Sequence, residues 1–106
     1  MTREQTLFLN IGEALCALFG QHYNNDPYYK KVMEGCFTQD TVVMAKGLEQ
    51  LSSAHAKTIP LFLRGRLFQL SKSLRNGRLM AALSYAQKAR KYGCSLGVST
   101  FKPAAA

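Results

Sequence analysis

Residues 60–79 read PLFLRGRLFQLSKSLRNGRL. Leucines at positions 63, 67, 70 and 74 recur at three- and four-residue spacing, so they share one face of an α-helix. Pro60 can open this helix, because the N–H that proline lacks is not needed in the first turn. Asn76 and Gly77 both tolerate positive φ, so the chain can reverse at once. The segment therefore predicts two antiparallel helices joined by a short turn.

The rest of the chain has the same helical character. Thr2 and Gln5 have the spacing of a capping box, and Asp26 followed by Pro27 is typical of a helix start. Thr38 can cap the helix that follows it. Glycines at positions 20, 35 and 93 are expected to end helices. The predicted helices span about 3–19, 27–34, 39–56, Pro60 to the Asn76-Gly77 turn, and 78–92.

These patterns predict an all-α protein, a compact bundle of about five helices. Residues 1–93 would form a single domain, which a chain of 106 residues is long enough to support without disulfides. Residues 94–106 lack a helical period and are expected to form an irregular, mobile tail. Cys16, Cys36 and Cys94 have wide spacing and an odd number, so we expect free thiols.

The sequence also indicates the cellular compartment in which the protein is expected. Hydrophobic residues make up 47% of the chain, yet they form no uninterrupted run long enough to span a membrane. The N-terminal residues do not resemble a secretory signal. We therefore expect an intracellular, cytoplasmic protein, with an organellar matrix as the alternative if a targeting segment has been removed.

Charge is distributed very unevenly along the chain. Residues 50–106 contain ten Lys and Arg side chains and no Asp or Glu, whereas residues 1–49 contain four basic side chains and all six acidic ones. The formal net charge is +8. Because residues 50–106 contain no acid to neutralise their basic side chains, they create a directional positive field. Such a field favours binding of a polyanion. Nucleic acid is the leading candidate, ahead of an acidic protein and an anionic membrane surface.

Helix phasing predicts where these cations lie. With the leucine stripe turned inward, Arg64, Lys72 and Arg75 gather around Phe68 on the outer side of the fourth helix, while Arg66 flanks the stripe. The fifth helix is expected to turn Leu79, Leu83 and Ala86 inward. Its Arg78, Lys88 and Lys91 then extend the basic surface, with Arg90 near the edge of the inward face. This basic strip is predicted to bind phosphates without reading sequence, with Phe68 stacking on a base. Its residues are Arg64, Arg66, Phe68, Lys72, Arg75, Arg78, Lys88, Arg90 and Lys91.

Alternatives to this interpretation stay open. The strip could be an ordinary solvated face with Phe68 packed against another helix, or it could dock an acidic protein partner as part of an inhibitor or of a small subunit in a larger assembly. A secondary candidate for nucleic-acid binding is the run Tyr28, Tyr29, Lys30 and Lys31, in which rings and cations are adjacent. In the competing interpretation, one of these tyrosines enters the core and the other covers the bundle.

Catalytic chemistry has little support in the sequence. His22 and His55 lie in different elements and match no metal-binding spacing. His55 continues the apolar stripe of Met44, Leu48 and Leu51, so we expect a core histidine with one hydrogen-bond partner, while His22 is expected in a solvated loop. No phosphate-cradling glycine loop is present. We therefore expect no enzymatic activity, no cofactor, no metal and no small-molecule substrate.

Residues Ser52–Leu74, SSAHAKTIPLFLRGRLFQLSKSL, resemble a segment of the small helical subunits of CRISPR effector complexes, particularly the type III RNA-targeting class. The matching positions are Lys57, Pro60, Gly65, Leu67 and Gln69 or Leu70. The segment departs from the pattern by placing Arg66 between Gly65 and Leu67. The resemblance covers about 23 residues and implies a non-catalytic helical subunit that lines a ribonucleoprotein filament and holds nucleic acid on basic side chains.

Overall fold

A computed structural model describes residues 1–96 of the chain. Its five helices are α1 (Arg3–Tyr23), α2 (Pro27–Thr38), α3 (Thr41–Ala54), α4 (Leu61–Arg75) and α5 (Leu79–Leu96), and no strand occurs among these residues. The predicted all-α class with five helices is confirmed. The expected irregular tail is wrong for residues 94–96, which are helical, and its remainder at 97–106 lies outside the described residues.

Three helices start where capping chemistry places them. Thr2 and Gln5 form the predicted capping box, with the Thr2 hydroxyl accepting from Gln5 N–H at 3.1 Å and Gln5 Oε1 accepting from Thr2 N–H at 2.8 Å. Asp26 Oδ1 accepts from two N–H groups of the first turn of α2. Asp40 caps α3 in the same way, so the expected cap at Thr38 is wrong, because Thr38 is the last residue of α2.

The predicted glycine stops are wrong at three positions out of four. α1 continues through Gly20 to Tyr23, α2 continues through Gly35, and α5 continues through Gly93. Gly77 does end its helix with φ of 69°. There, Arg78 N–H donates to the Ser73 carbonyl at 2.9 Å and Gly77 N–H to the Leu74 carbonyl at 3.1 Å, the hydrogen bonds of a Schellman motif.

The buried glycines allow helices to approach one another closely. A Cβ atom on Gly35 would lie 2.7 Å from Met44 Cγ and 2.8 Å from Met44 N, at the crossing of α2 and α3. A Cβ atom on Gly47, at the same crossing, would lie 2.6 Å from Val32 Cγ2. Gly12 plays the corresponding role between α1 and α2, facing the Cys36 thiol. These positions are constrained by helix packing rather than by backbone conformation.

The helices pack as a closed ring around one core. Each helix contacts its neighbours in the chain, and α5 returns to pack against α1. The predicted stripes on α3 and α4 are buried, including His55 and the four stripe leucines Leu63, Leu67, Leu70 and Leu74. Side chains from all five helices meet in a single hydrophobic cluster. The ring leaves one side of the α4–α5 hairpin facing outward.

The inner face of α5 differs from the predicted Leu79, Leu83 and Ala86 face. Ala82, Ala86 and Ala89 are fully buried, whereas Leu79 and Leu83 are only partly buried at the edges of the contact. Small side chains bring the α5 backbone close to its neighbours, and the leucines close the contact on either side.

A hydrogen bond between two largely buried side chains connects the start of α2 to the end of α3. Asp26 Oδ2 lies 2.6 Å from His55 Nε2, and both side chains are 10% exposed. The Tyr23 ring, from the end of α1, packs edge-to-face against the His55 ring with centroids 5.0 Å apart. The core histidine with a hydrogen-bond partner is confirmed. Asp26 thus caps one helix with one oxygen and holds a second helix with the other.

The substitution Gly35→Ala separates packing from helix propensity. Propensity alone would make alanine stabilising, but its methyl group has no room against the Met44 backbone. We expect the free energy of unfolding to fall by about 1–3 kcal/mol. Gly65→Ala is the matched control, because nothing lies within 4 Å of its Cβ position, and it should gain about 0.5–1 kcal/mol. Urea unfolding followed by circular dichroism measures both, and stabilisation by both variants would contradict the close contact.

The two aspartate caps allow the contribution of the Asp26–His55 hydrogen bond to be separated from that of a cap alone. Asp26→Ala removes a cap and the His55 contact together, and should cost about 2–4 kcal/mol. Asp40→Ala removes a cap in an exposed setting and should cost about 1 kcal/mol. Asp26→Asn keeps a good capping group and should fall between them. Equal losses for Asp26→Ala and Asp40→Ala in the same unfolding assay would show that the His55 contact contributes nothing.

Candidate nucleic-acid interface

The arginines of α4 point to two different sides of the helix. Arg64 lines a cleft between α3 and α4, where its Nε donates to the Ile59 carbonyl at 3.2 Å, and Arg75 reaches Glu49 of α3. Arg66 instead lies over Phe62 on the side toward α5. Phe68 lies between these two sides, since it lines both the cleft that holds Arg64 and a depression that holds Arg66 and Lys72.

Arg75 is neutralised by the last acidic residue of the chain. Its Nε and Nη2 donate to the two carboxylate oxygens of Glu49, each at 2.7 Å. This two-pronged geometry suits the planar guanidinium. The hydrogen bonds from Arg75 hold the pKa of the Glu49 carboxyl below its ordinary value. Arg75 therefore contributes less unbalanced charge to the surface than its position in the sequence suggests.

A continuous groove runs along the outer side of the α4–α5 hairpin. Its walls bring together five of the predicted cations, from both helices and from the turn between them. Three adjoining depressions share lining residues: Phe62 and Arg66 belong to two of them, and so do Gln69 and Lys72. We call this surface the basic groove. It is lined by Phe62, Arg66, Gln69, Lys72, Arg78, Tyr85, Lys88, Lys91 and Tyr92.

Three aromatic rings lie among the cations of the basic groove. Phe62 and Tyr92 pack at 4.6 Å between centroids, across the two helices. The Arg66 guanidinium lies 5.1 Å from the Phe62 centroid, and the Lys88 ammonium lies 5.5 Å from that of Tyr85. The groove therefore alternates positive charge with aromatic surface.

These three rings were not among the site residues predicted from the sequence. A signal was present, because Arg66 follows Phe62 by four residues and Lys88 follows Tyr85 by three, spacings that place side chains side by side on a helix. Tyr92 lies one further heptad beyond Tyr85 on the same face. What the sequence could not supply was the register of α4 against α5, which brings Phe62 to Tyr92.

The remaining members of the predicted strip lie outside the groove or at its edge. Phe68 is 66% exposed at the outer edge, so the alternative in which it packs against another helix is wrong. Arg90 is exposed on α5 but lines none of the three depressions.

In the secondary candidate, the run from Tyr28 to Lys31, the tyrosines belong largely to the core. Tyr29 is 6% exposed and packs edge-to-face with Phe19, and burial raises the pKa of its hydroxyl. It is therefore unable to stack on a base. Tyr28 is partly buried against the core, while Lys30 is exposed and Lys31 is half-buried. The competing interpretation, with one tyrosine in the core and the other covering it, describes the arrangement found.

Other polar side chains form no second centre. His22 lies in the last turn of α1 and is half-buried, so the expected solvated loop is wrong. Cys16, Cys36 and Cys94 are free thiols, as predicted, and burial raises the pKa of Cys36. Within residues 1–96, no three His, Cys, Asp or Glu side chains lie close enough to hold a metal ion.

Among the described helices, none combines the length and apolar character needed to cross a membrane. Comparison of the chain with models of known protein families, with curated proteins and with solved structures found no significant match.

The Glu49–Arg75 pair should make a small, acid-sensitive contribution to stability. A carboxyl whose pKa is lowered by folding stabilises the fold above its unfolded value near 4.5, and that contribution is lost as the pH falls through the lowered pKa. A double-mutant cycle with Glu49→Gln and Arg75→Gln should give a favourable coupling energy at neutral pH and none in strong acid. The coupling should be small, because solvent screens exposed pairs. Equal coupling at both pH values in urea unfolding would contradict this assignment.

Proposed function

We propose that this protein is a non-catalytic nucleic-acid-binding module that holds the phosphate backbone in the basic groove. The observation that carries the proposal is a cluster of cations with no acidic counterpart. Among the described residues, no carboxylate lies within ion-pair distance of these side chains, which are Arg66, Lys72, Arg78, Lys88 and Lys91. Positive charge concentrated in a concave surface attracts a polyanion more strongly than scattered charge does.

The dimensions of the groove suit a short stretch of backbone. Arg78 stands at the start of α5 and Lys91 near its end, thirteen residues later, which corresponds to about 20 Å of helix. Side chains of Lys and Arg on this path can contact successive phosphates. Such contacts fix the position of the backbone without distinguishing bases, so the binding we propose is independent of sequence.

The wider role we propose is that of an accessory subunit in a nucleoprotein assembly. The resemblance of Ser52–Leu74 to small CRISPR subunits supports this role, and the segment covers the end of α3 and nearly all of α4. Arg66, the residue that departs from the pattern, is one of the groove cations.

A second candidate function is docking of an acidic protein through the same hairpin. Leu61 and Phe68 favour it, since they are 75% and 66% exposed beside Lys72. Exposed apolar side chains with a charged rim are typical of protein interfaces. This alternative predicts that the purified chain ignores oligonucleotides and binds one protein stoichiometrically.

Charge reversal in the groove tests the proposed function. The double variant Arg66→Glu/Lys88→Glu should bind a fluorescent oligonucleotide at least tenfold more weakly. The slope of log affinity against log salt should also become shallower by about one to two phosphate contacts. Fluorescence anisotropy between about 50 and 200 mM salt measures both quantities.

The control must carry the same change in net charge on another surface. Lys30→Glu/Lys46→Glu does so on α2 and α3, and among the five described helices α2 packs against α1 and α3 but not against α4 or α5. These variants should lose much less affinity. A flat salt dependence of the unmodified protein would overturn nucleic-acid binding, and equal losses in the two double variants would overturn its assignment to the basic groove.

A further inference from the structure

We infer that the basic groove takes single-stranded nucleic acid in preference to duplex, with bases stacking on the rings at Phe62 and Tyr92. This inference rests on the proposed function and adds to it a substrate class. In a duplex the faces of the bases are covered by their neighbours, so a protein that binds duplex backbone gains nothing from aromatic surface between its cations. In a single strand those faces are exposed, and rings interleaved with cations are what such strands bind.

Each depression of the groove combines a ring with positive charge. Phe62 and Tyr92 share one with Lys88 and Lys91, and Tyr85 shares another with Arg78. Phe62 is 54% exposed despite its contact with Tyr92, and Tyr92 is partly exposed. Aromatic surface is therefore open to a ligand at the points where phosphates would be held.

Arg66 is held in the groove by two side-chain contacts. Its guanidinium lies over the Phe62 ring, and its Nη1 donates to Gln69 Oε1 at 3.2 Å. A guanidinium held by these two contacts offers a planar cationic surface on which a base can stack. Because the side chain is ordered in advance, less entropy is lost when a ligand binds.

The chemistry favours a nucleic acid over an acidic peptide at this particular place. Aspartate and glutamate side chains would satisfy the cations but would leave the faces of the rings without a partner. A nucleotide supplies a phosphate for the cation and a flat base for the ring from one repeating unit.

The experiment compares single-stranded RNA, single-stranded DNA and the corresponding duplexes on the full chain by fluorescence anisotropy. Phe62→Leu and Tyr92→Leu remove aromatic faces while keeping apolar bulk. Each should weaken single-strand binding by about fivefold or more and leave duplex binding and the salt slope unchanged, because a ring releases no counterions. Phe37→Leu is the matched control, since Phe37 is 81% exposed on α2 and lies outside the groove.

A spectroscopic reporter measures stacking directly. The sequence contains no tryptophan, so Tyr92→Trp introduces a single indole whose emission belongs to the groove. Single-stranded oligonucleotide should quench this emission, while duplex and polyglutamate should not. Unquenched emission at saturating single strand would overturn the inference even if the leucine variants were to lose their fold.

The outcomes separate this inference from the proposed function. Binding that depends on Arg66 and Lys88 but is equal for single strand and duplex would overturn the single-strand preference and leave the nucleic-acid module standing. Absence of binding to every oligonucleotide would overturn both. Tighter binding of polyglutamate than of single strand would assign the groove to an acidic protein and would likewise overturn both.

Discussion

The contact between Asp26 and His55 fixes the relation of the first three helices, and through them the place where the basic hairpin begins. One oxygen of Asp26 accepts the N–H groups that start α2, and the other meets His55 at the end of α3. The His55 carbonyl in turn accepts from Thr58 and Ile59 N–H. The Ile59 carbonyl accepts a hydrogen bond from Arg64 Nε of α4. A chain of short hydrogen bonds thus runs from the start of α2 to the first turn of α4. Because burial makes an unmatched carboxylate costly, this arrangement favours one relative position of the helices over its alternatives.

Where α4 lies then decides which cations are neutralised. Arg75 pairs with Glu49 across the α3–α4 contact. Glu49, the last acidic residue of the sequence, therefore neutralises a cation on the side of α4 that faces α3. No corresponding acid reaches the α5 side within the described residues. The charge asymmetry of the sequence consequently becomes a geometric asymmetry of α4, with a balanced side and an unbalanced one. The basic groove is on the unbalanced side, and this is a property of the packing as much as of the composition.

The sequence predicted the fold well where local chemistry is decisive. The cap at Asp26, the capping box at Thr2 and the turn at Gly77 depend on residues within a few positions of each other. Gly20, Gly35 and Gly93 were expected to end helices and do not. Gly35 shows why such an expectation can fail, because a glycine can serve either a helix end or a close helix crossing. The choice depends on a partner far away in the chain, such as Met44 opposite Gly35.

The candidate site was likewise predictable where it depends on local sequence and not where it depends on contacts between distant segments. Its cations were predictable from composition and helix phase. The helical wheel also set Arg66 apart from Arg64 and Arg75, but it gives directions and not which neighbouring helix stands in each direction. The pairing of Phe62 with Tyr92 likewise needs the register of two antiparallel helices. The strip predicted across the two helices therefore lacked the rings and the register that define the groove between them.

The make-up of α5 links ligand binding to the stability of this hairpin. Its buried face is mainly small side chains, Ala82, Ala86 and Ala89, which bury little apolar area each. Its outer face carries Lys88 and Lys91 opposite Arg66 of α4, and like charges on facing helices oppose their association. An anion held in the groove removes that repulsion. Docking of α5 and binding of a polyanion should consequently favour one another, because a ligand that binds the packed hairpin stabilises it by mass action.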